Sequence, residues 1–185
     1  MSALRLDPEH AAWAELAAAL VNTRPRPTDP AEKLVGLDEL RRLLAACPVP
    51  APAVTEREVG PLRELRPRLV EAFEATTTEA FADAVNPLLA RSPGGWQMTA
   101  SVHGGWALGP AGPQRAADWF GARAARGLAE LVIAYGIERL HMCSADDCLC
   151  AVVDVSRNGA RRYCSRTCAN RTNVRRHRGR VSEMD

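Results

Sequence analysis

The clustering of cysteines constrains this chain more than any other feature of its sequence. Five of the six cysteines fall within 26 residues, and four of them form two short-spaced pairs, Cys143 with Cys148 and Cys164 with Cys168. Two such pairs separated by a short insert can converge on one tetrahedral Zn²⁺. In a reducing cytosol a local cluster of this kind is more often metal-binding than disulfide-bonded. We therefore predict one zinc ion bound by these four cysteines.

The fifth clustered cysteine leaves an alternative open. Cys150 could replace Cys148 as a ligand, but pairing Cys143 with Cys148 leaves the following apolar run free to form a strand, so we assign Cys150 to that strand. His141 and His177 are weaker substitutes. Four sulfurs fill the coordination sphere and leave no position for water or substrate. We therefore expect a structural metal, no catalytic residues and no enzymatic activity.

The residues around the four cysteines predict a small treble-clef-like finger. We expect a hairpin between residues 150–155 and 160–163, because the intervening Asn158-Gly159 pair is a strong type I′ turn signal. A helix is predicted over residues 171–178. A helical first turn would place Cys164 and Cys168 on one face, because they are four residues apart.

The chain before the cluster has helical spacing interrupted by prolines. Capping and periodicity predict four helices. The first covers residues 8–21, the second starts at Thr28-Asp29-Pro30, the third starts at a Thr55–Glu58 capping box, and the fourth covers residues 78–90. Pro67 should either kink the third helix or move its start. A small hairpin over residues 96–102 and 106–108 and a fifth helix over residues 113–138 follow.

These elements predict an α+β chain with two domains. Residues 1–138 form a mainly helical N-terminal domain with a small β-hairpin, and residues 139–185 form the C-terminal zinc finger with a basic helix. Because the first part carries almost all the large apolar residues, we expect it to fold without the finger.

Charge is divided unevenly between the two parts. Residues 1–138 carry 14 basic and 17 acidic side chains, whereas residues 139–185 carry 10 basic and 5 acidic ones. An acid-free run of arginines attracts a polyanion. We predict contacts with duplex DNA from the following residues: Arg161, Arg162, Arg166, Asn170, Arg171, Arg175, Arg176, Arg178 and Arg180. RNA binding and a protein-interaction finger with a solvated basic tail remain alternatives.

The C-terminal segment resembles the CGNR-type zinc finger proteins. The resemblance rests on the four-cysteine spacing, on the approach Asp154-Val-Ser-Arg-Asn-Gly-Ala-Arg-Arg-Tyr-Cys164, and on Cys168-Ala-Asn-Arg171 followed by basic residues. Two positions depart from the family pattern: Ala169 replaces its namesake glycine, and Cys150 replaces a larger apolar or aromatic residue.

The upstream segments Ala19–Arg24 and Glu32–Leu40 are similar to the ABATE domain, which accompanies this finger. Together the two resemblances imply a stress-related bacterial transcription regulator. Separately, Trp96, Trp106 and Trp119 could line a small-molecule pocket in the N-terminal domain, although the simpler interpretation places them in the core. We expect such a pocket to sense an effector, and the alternative is a small-molecule-binding enzyme of unknown reaction.

Hydropathy and the first residues bear on location. No apolar stretch approaches the roughly 20 residues needed to cross a bilayer, and the first nine residues lack an export signature. We expect a cytoplasmic protein without membrane contact, and the sequence leaves its oligomeric state open.

Overall fold

The computed structural model describes residues 6–27, 29–91, 95–100, 104–111 and 115–182, with the backbone alone for residues 99, 100, 107, 110 and 176–182. The described part is mostly helical, with two small antiparallel sheets, as the α+β prediction requires. Its helices and strands are α1 Pro8–Val21, α2 Leu37–Ala45, α3 Val59–Glu74, α4 Thr78–Leu89, β1 Trp96–Ala100, β2 Trp106–Pro110, α5 Ala116–Tyr135, β3 Leu140–Met142, β4 Ala151–Val153 and α6 Arg166–Ser182. Within the described ranges, no helix has the length and apolar character needed to span a membrane.

The N-terminal core is built around the contact between α1 and α5. Both helices are rich in alanine, so their backbones approach closely. Gly127 of α5 lies directly against α1: a Cβ at this position would lie 2.6 Å from Trp13 Cβ and 2.8 Å from the Ala14 backbone nitrogen. Helices α3 and α4 complete the packing around α5.

Replacing Gly127 with alanine should destabilise the fold. Alanine normally stabilises a helix relative to glycine by about 1 kcal/mol, but here its methyl group would overlap the α1 backbone. We expect a net loss of about 1–3 kcal/mol, as for other overpacked cores, measured by urea denaturation. Gly60→Ala in α3 is the matched control, because nothing lies within 4 Å of a Cβ there; equal stability of the two variants would contradict the packing.

The segment between α1 and α2 differs from the sequence prediction. Helix α1 covers the predicted residues 8–21, whereas the second helix starts at Leu37 and not after Thr28-Asp29-Pro30. Thr28 itself lies outside the described residues. The carbonyl of Leu34 accepts a hydrogen bond of 2.8 Å from Arg63 Nε of α3. This contact holds the segment as a loop across the helices.

The third and fourth helices differ from the sequence prediction at a cap, at a proline and at one end. The Thr55 side chain makes no capping bond, and a 3₁₀ turn over Glu56–Glu58 leads into α3. Pro67 lies inside α3 and does not end it. The proline has no N–H to bond the Arg63 carbonyl, and Arg66 Nε donates to that carbonyl instead, at 3.3 Å. Helix α4 ends one residue before the predicted boundary.

The first sheet and α5 follow the prediction with shifted ends. Strands β1 and β2 pair in antiparallel register, with Met98 opposite Leu108. Residues 101–103, within the predicted hairpin, lie outside the described part. Helix α5 ends at Tyr135, and the residue that follows it, Gly136, has a φ of +94° that favours glycine.

The second sheet joins the finger to the helical core. Strand β4 pairs with β3, which precedes the first cysteine, so the predicted pairing of residues 150–155 with 160–163 is wrong. Alternation along the strand decides this arrangement: Ala151 and Val153 pack in the helical core, while Cys150 and Val152 pack in the cysteine cluster. A strand buried on both faces needs a partner that also reaches the core, and Leu140 of β3 provides it.

Candidate metal centre and nucleic-acid surface

The first cysteine pair lies in the turn that joins β3 to β4. The Cys143 N–H donates to the Cys150 carbonyl at 2.7 Å, which continues the β3–β4 ladder by one step. The Cys148 N–H donates to the Ala145 carbonyl at 2.9 Å. Both contacts fold residues 143–150 into a compact knuckle that holds Cys143 and Cys148 on one side.

The second pair lies at the N-terminus of α6. This helix starts at Arg166, five residues before the predicted start, so Cys168 lies in its first turn and Cys164 just precedes it. The Ser165 hydroxyl oxygen accepts a hydrogen bond of 3.2 Å from the Cys168 N–H, as an N-cap residue does. Ala169 lies within the helix, where an alanine is compatible with the backbone.

The four sulfurs have the separations that one zinc ion requires. They lie within 4.8 Å of one another, with Cys164 Sγ 3.6 Å from Cys148 Sγ and 3.5 Å from Cys168 Sγ. Tetrahedral coordination with Zn–S bonds of about 2.3 Å gives S–S separations of about 3.8 Å. The predicted cofactor, one structural zinc ion, is therefore confirmed, and it would fold the knuckle onto α6 by bonding all four thiolates.

The electrostatics of the cluster favour a bound cation. Burial raises the pKa of the Cys143 and Cys164 thiols, and a nearby cation would favour their thiolate forms. Burial acts the same way on Cys148, but hydrogen bonds with neighbouring cysteines lower its pKa to about 7. The Cys164 N–H also donates to Cys143 Sγ at 3.4 Å. Arg171 Nη2 lies 3.7 Å from Cys168 Sγ and offsets part of the negative charge of a four-thiolate site.

The weaker candidate ligands are engaged elsewhere. Cys150 is buried beside the cluster, and its sulfur accepts a hydrogen bond from Arg26, but it is not one of the four converging cysteines. His141 bonds the Arg161 carbonyl through Nε2 at 2.8 Å and the Met142 carbonyl through Nδ1. The His177 side chain lies outside the described part of the chain.

Three of the arginines proposed for nucleic-acid contact bind within the finger. Arg161 donates to the carbonyls of Val153 and Cys164, at 3.4 and 3.1 Å. Arg171 and Arg175 both bind Asp147, with nitrogen to oxygen distances of 2.6 and 2.9 Å. Burial acts to raise the pKa of Asp147, but the two arginines outweigh it and hold that pKa below its usual value.

Arg162 and Arg166 form an exposed basic pair in the described finger. Neither side chain has a bonding partner among the described residues, and both line a surface depression of about 490 Å³ with Ser165 and Ala169. The depression lies at the N-terminus of α6, where helix N–H groups favour an anion. We call this surface, formed by Arg162, Ser165, Arg166 and Ala169, the arginine depression.

The remaining predicted contacts lie further along α6. Asn170 is exposed on the first turns of the helix. Arg176, Arg178 and Arg180 lie on its C-terminal half, where the side chains are outside the described part.

The residues that seat the finger on the helical domain were not identified as functional from the sequence. Asn22, just after α1, pairs with the Ala151 backbone like a neighbouring strand, accepting at 2.8 Å and donating at 3.0 Å. Arg24 donates to the Leu149 carbonyl at 2.9 Å, and Arg26 reaches Cys150. The segment Ala19–Arg24 was noticed in the sequence because it resembles the ABATE domain. Its residues alone do not indicate that it contacts the finger.

Asp154 fixes the loop that precedes the second cysteine pair. Its carboxylate is buried and accepts hydrogen bonds from the backbone N–H groups of Ser156 and Arg161, both at 2.8 Å. Burial acts to raise its pKa, but these bonds and the charge of Arg139 hold it below the usual value.

Replacing Asp154 with asparagine should loosen this loop. The amide can accept only one of the two hydrogen bonds and would direct an NH₂ group at the other donor. We expect a loss of about 1–3 kcal/mol, with faster amide exchange of Ser156 and Arg161 in the zinc-loaded protein. Asp38→Asn is the matched control, because that carboxylate is 83% exposed; unchanged exchange rates in the Asp154 variant would contradict this role.

Comparison with known families assigns both parts of the chain. Residues 139–181 match the family described as "CGNR zinc finger", and residues 14–135 match ABATE, described as "Putative stress-induced transcription regulator". Neither description names an enzyme. No curated protein matches the chain. The ABATE match covers more than half of the sequence and the finger match contains all four converging cysteines, so this regulator-type zinc finger protein belongs to the ABATE family.

Proposed function

We propose that the chain is a transcription regulator that binds duplex DNA through its zinc finger. The observation that carries the proposal is the arginine depression, where Arg162 and Arg166 are exposed beside the N-terminus of α6 without an acidic partner among the described residues. Phosphate oxygens are the groups that two unpaired guanidinium groups and a helix N-terminus bind best.

The charge distribution supports the same surface. The finger carries 10 basic and 5 acidic residues, whereas the rest of the chain is slightly acidic and should repel a duplex. Because Arg171 and Arg175 share Asp147, they contribute one net positive charge between them and are positioned to support the finger. Arg162 and Arg166 are therefore the phosphate contacts that we expect to contribute most.

Asn170 is the side chain that we assign to base recognition. It is exposed one turn along α6 from Arg166, and asparagine can bond an adenine edge in the major groove through two hydrogen bonds. Phosphate contacts would orient the finger, and this residue would bias the sequence that it selects.

Effector sensing by the helical domain is the second part of the proposal. Asn22, Arg24 and Arg26 connect the end of α1 to the knuckle that holds two zinc ligands. A ligand that shifted α1 would therefore displace the finger directly.

A salt titration tests the DNA-binding part. Loss of each phosphate contact should reduce the slope of log K against log salt by about 0.9, so Arg162→Gln with Arg166→Gln should reduce it by roughly 2 and weaken all duplexes alike. The measurement is fluorescence anisotropy of labelled duplexes with zinc-loaded protein.

Arg41→Gln is the charge-matched control, because Arg41 is exposed on α2 away from the finger. The control should keep the wild-type slope. A double variant with the wild-type slope and affinity would exclude the arginine depression as the DNA contact. A preference for single-stranded RNA at equal salt would favour the RNA alternative.

A further inference from the structure

Arg123 is a buried cation that has no ion-pair partner among the described residues of the helical domain. It lies in the middle of α5 and is 4% exposed. No carboxylate of the described residues lies within ion-pair distance, and Glu9 acts on it only from further away. Burial lowers the pKa of Arg123 to about 10, which still leaves it charged at neutral pH. A buried charge without a partner is costly.

Two tryptophans enclose the Arg123 guanidinium. Its central carbon lies 5.6 Å from the ring centre of Trp13 and 5.1 Å from that of Trp119, within range of cation–π attraction. The two rings contact each other edge to face, with centroids 5.3 Å apart. The cation therefore lies in an aromatic cage built from α1 and α5.

Hydrogen-bond donors in this cage lack acceptors. Arg123 Nε and the indole Nε1 of Trp13 are both buried without a hydrogen-bond partner. Among the described residues, the one acceptor for Arg123 is the Leu108 carbonyl of β2, at the long distance of 3.4 Å. Buried side-chain atoms without a hydrogen-bond partner also occur elsewhere in the described chain, at Arg24, Arg26, Glu58 and Arg171. The cage differs because its two donors adjoin a buried charge that has no ion-pair partner among the described residues.

We propose that Arg123, Trp13 and Trp119 form the binding site for a small organic monocarboxylate. Its two oxygens would accept from the two donors that lack partners. Its single negative charge would neutralise Arg123, whereas a phosphate dianion would leave a net charge in a buried site. The indole faces suit an apolar or aromatic body attached to the carboxylate.

Strand β2 must move away from the Arg123 guanidinium when the ligand binds. It lies over the guanidinium so closely that a Cβ at Gly109 would lie 2.1 Å from Arg123 Nη2. The two-stranded sheet that contains β2 is small, and sheets of this size are marginally stable by themselves. The long bond to Leu108 is the contact that a carboxylate replaces.

The site has a direct connection to the finger. Trp13 lies nine residues before Asn22, or about 14 Å along α1 at 1.5 Å per residue, and Asn22 pairs with Ala151 beside the zinc knuckle. This inference rests on the effector-sensing part of the proposed function. Binding of a carboxylate is measured without DNA, so its failure is distinct from failure of DNA recognition.

Thermal unfolding of the full zinc-loaded chain tests the site. The sodium salts of acetate, benzoate and indole-3-acetate are compared with sodium chloride and sodium phosphate at equal ionic strength. For acetate and benzoate, the tryptophan fluorescence of the protein is measured as well. At about 100 times its Kd, a bound carboxylate should raise Tm by about 5–10 °C. Arg123→Met should fold with unchanged or higher Tm, because it removes an unpaired buried charge, and should lose the carboxylate response.

Arg126→Met is the matched control, because Arg126 lies on the same helix over Trp96 and outside the cage. It should keep the response, and Arg123→Lys should retain part of it. The proposal is overturned if no carboxylate raises the wild-type Tm above the chloride and phosphate values, or if the response persists in Arg123→Met. Should Arg123→Met fail to fold, a full response in Arg123→Lys would equally overturn it.

Discussion

A Cys164→Ser variant should lose its zinc ion and the folded structure of residues 140–182. Cys164 Sγ lies 3.6 Å from Cys148 Sγ and 3.5 Å from Cys168 Sγ, so its removal leaves three of the four converging ligands. Structural zinc sites contribute about 10–16 kcal/mol to folding in isolated finger peptides, far more than the small apolar cluster around the sulfurs can replace. The zinc content per chain, measured by mass spectrometry on the purified protein, should fall from one to near zero.

Cys150→Ser is the control for this experiment. Cys150 is buried beside the ligands but is not one of the four converging cysteines. Its variant should keep one zinc per chain and lose some stability at the contact with Arg26. Full zinc in the Cys164 variant, or its loss in the Cys150 variant, would require a different ligand set.

Ending the chain at Glu138 should destabilise the helical domain. The truncation removes Leu140, Ala151 and Val153 from its core and leaves Asn22 without its backbone partner. Loss of one buried leucine typically costs 2–5 kcal/mol, and the total here should exceed about 5 kcal/mol, comparable with the stability of a whole domain. Differential scanning calorimetry should find no cooperative transition near that of the intact chain.

This expectation reverses the one drawn from composition. The sequence predicted that residues 1–138 would fold alone, because they carry most of the large apolar residues. The two-sided burial of β4 changes that expectation, since the finger supplies part of the helical core. A chain ending after Arg180 provides the control, and equal transitions for both truncations would mean that the helical domain is independent.

The zinc ligands were predictable because their identity depends on covalent spacing. Pairs separated by four and three residues converge whenever the chain between them turns, so Cys143, Cys148, Cys164 and Cys168 needed no tertiary information. Helix α1 was equally accessible, because its cap, proline and apolar period agree on the same boundaries.

Strand pairing was less accessible, because periodicity identifies a strand but not its partner. The Asn158-Gly159 signal suggested a hairpin, and a turn does close there between the Ser156 carbonyl and the Gly159 N–H, at 3.3 Å. Strand β4 ends before this turn, but no strand lies between the turn and α6 among the described residues. Strand β4 pairs with β3, the strand that precedes it in the chain, because both strands contribute side chains to the helical core. That requirement is visible only once the helices are assembled.

Charge counting also missed the pairing of two of the arginines with an acidic residue. Arginines at positions 171 and 175 have suitable helical spacing for a common face, but Asp147, 24 residues earlier than Arg171, binds both. Sequence separation conceals such pairs. Conversely, the exposure of Arg162 follows from the irregular loop before Cys164, which the predicted hairpin did not anticipate.

Selection of bound fragments from genomic DNA tests the regulator account most directly. The intact zinc-loaded chain and the Arg162→Gln, Arg166→Gln double variant are each offered duplex fragments and an RNA pool at physiological salt. We expect the intact chain to enrich a limited set of duplex sequences and the double variant to recover far less duplex DNA of every sequence. Equal recovery by both proteins, or enrichment of RNA alone, would contradict it.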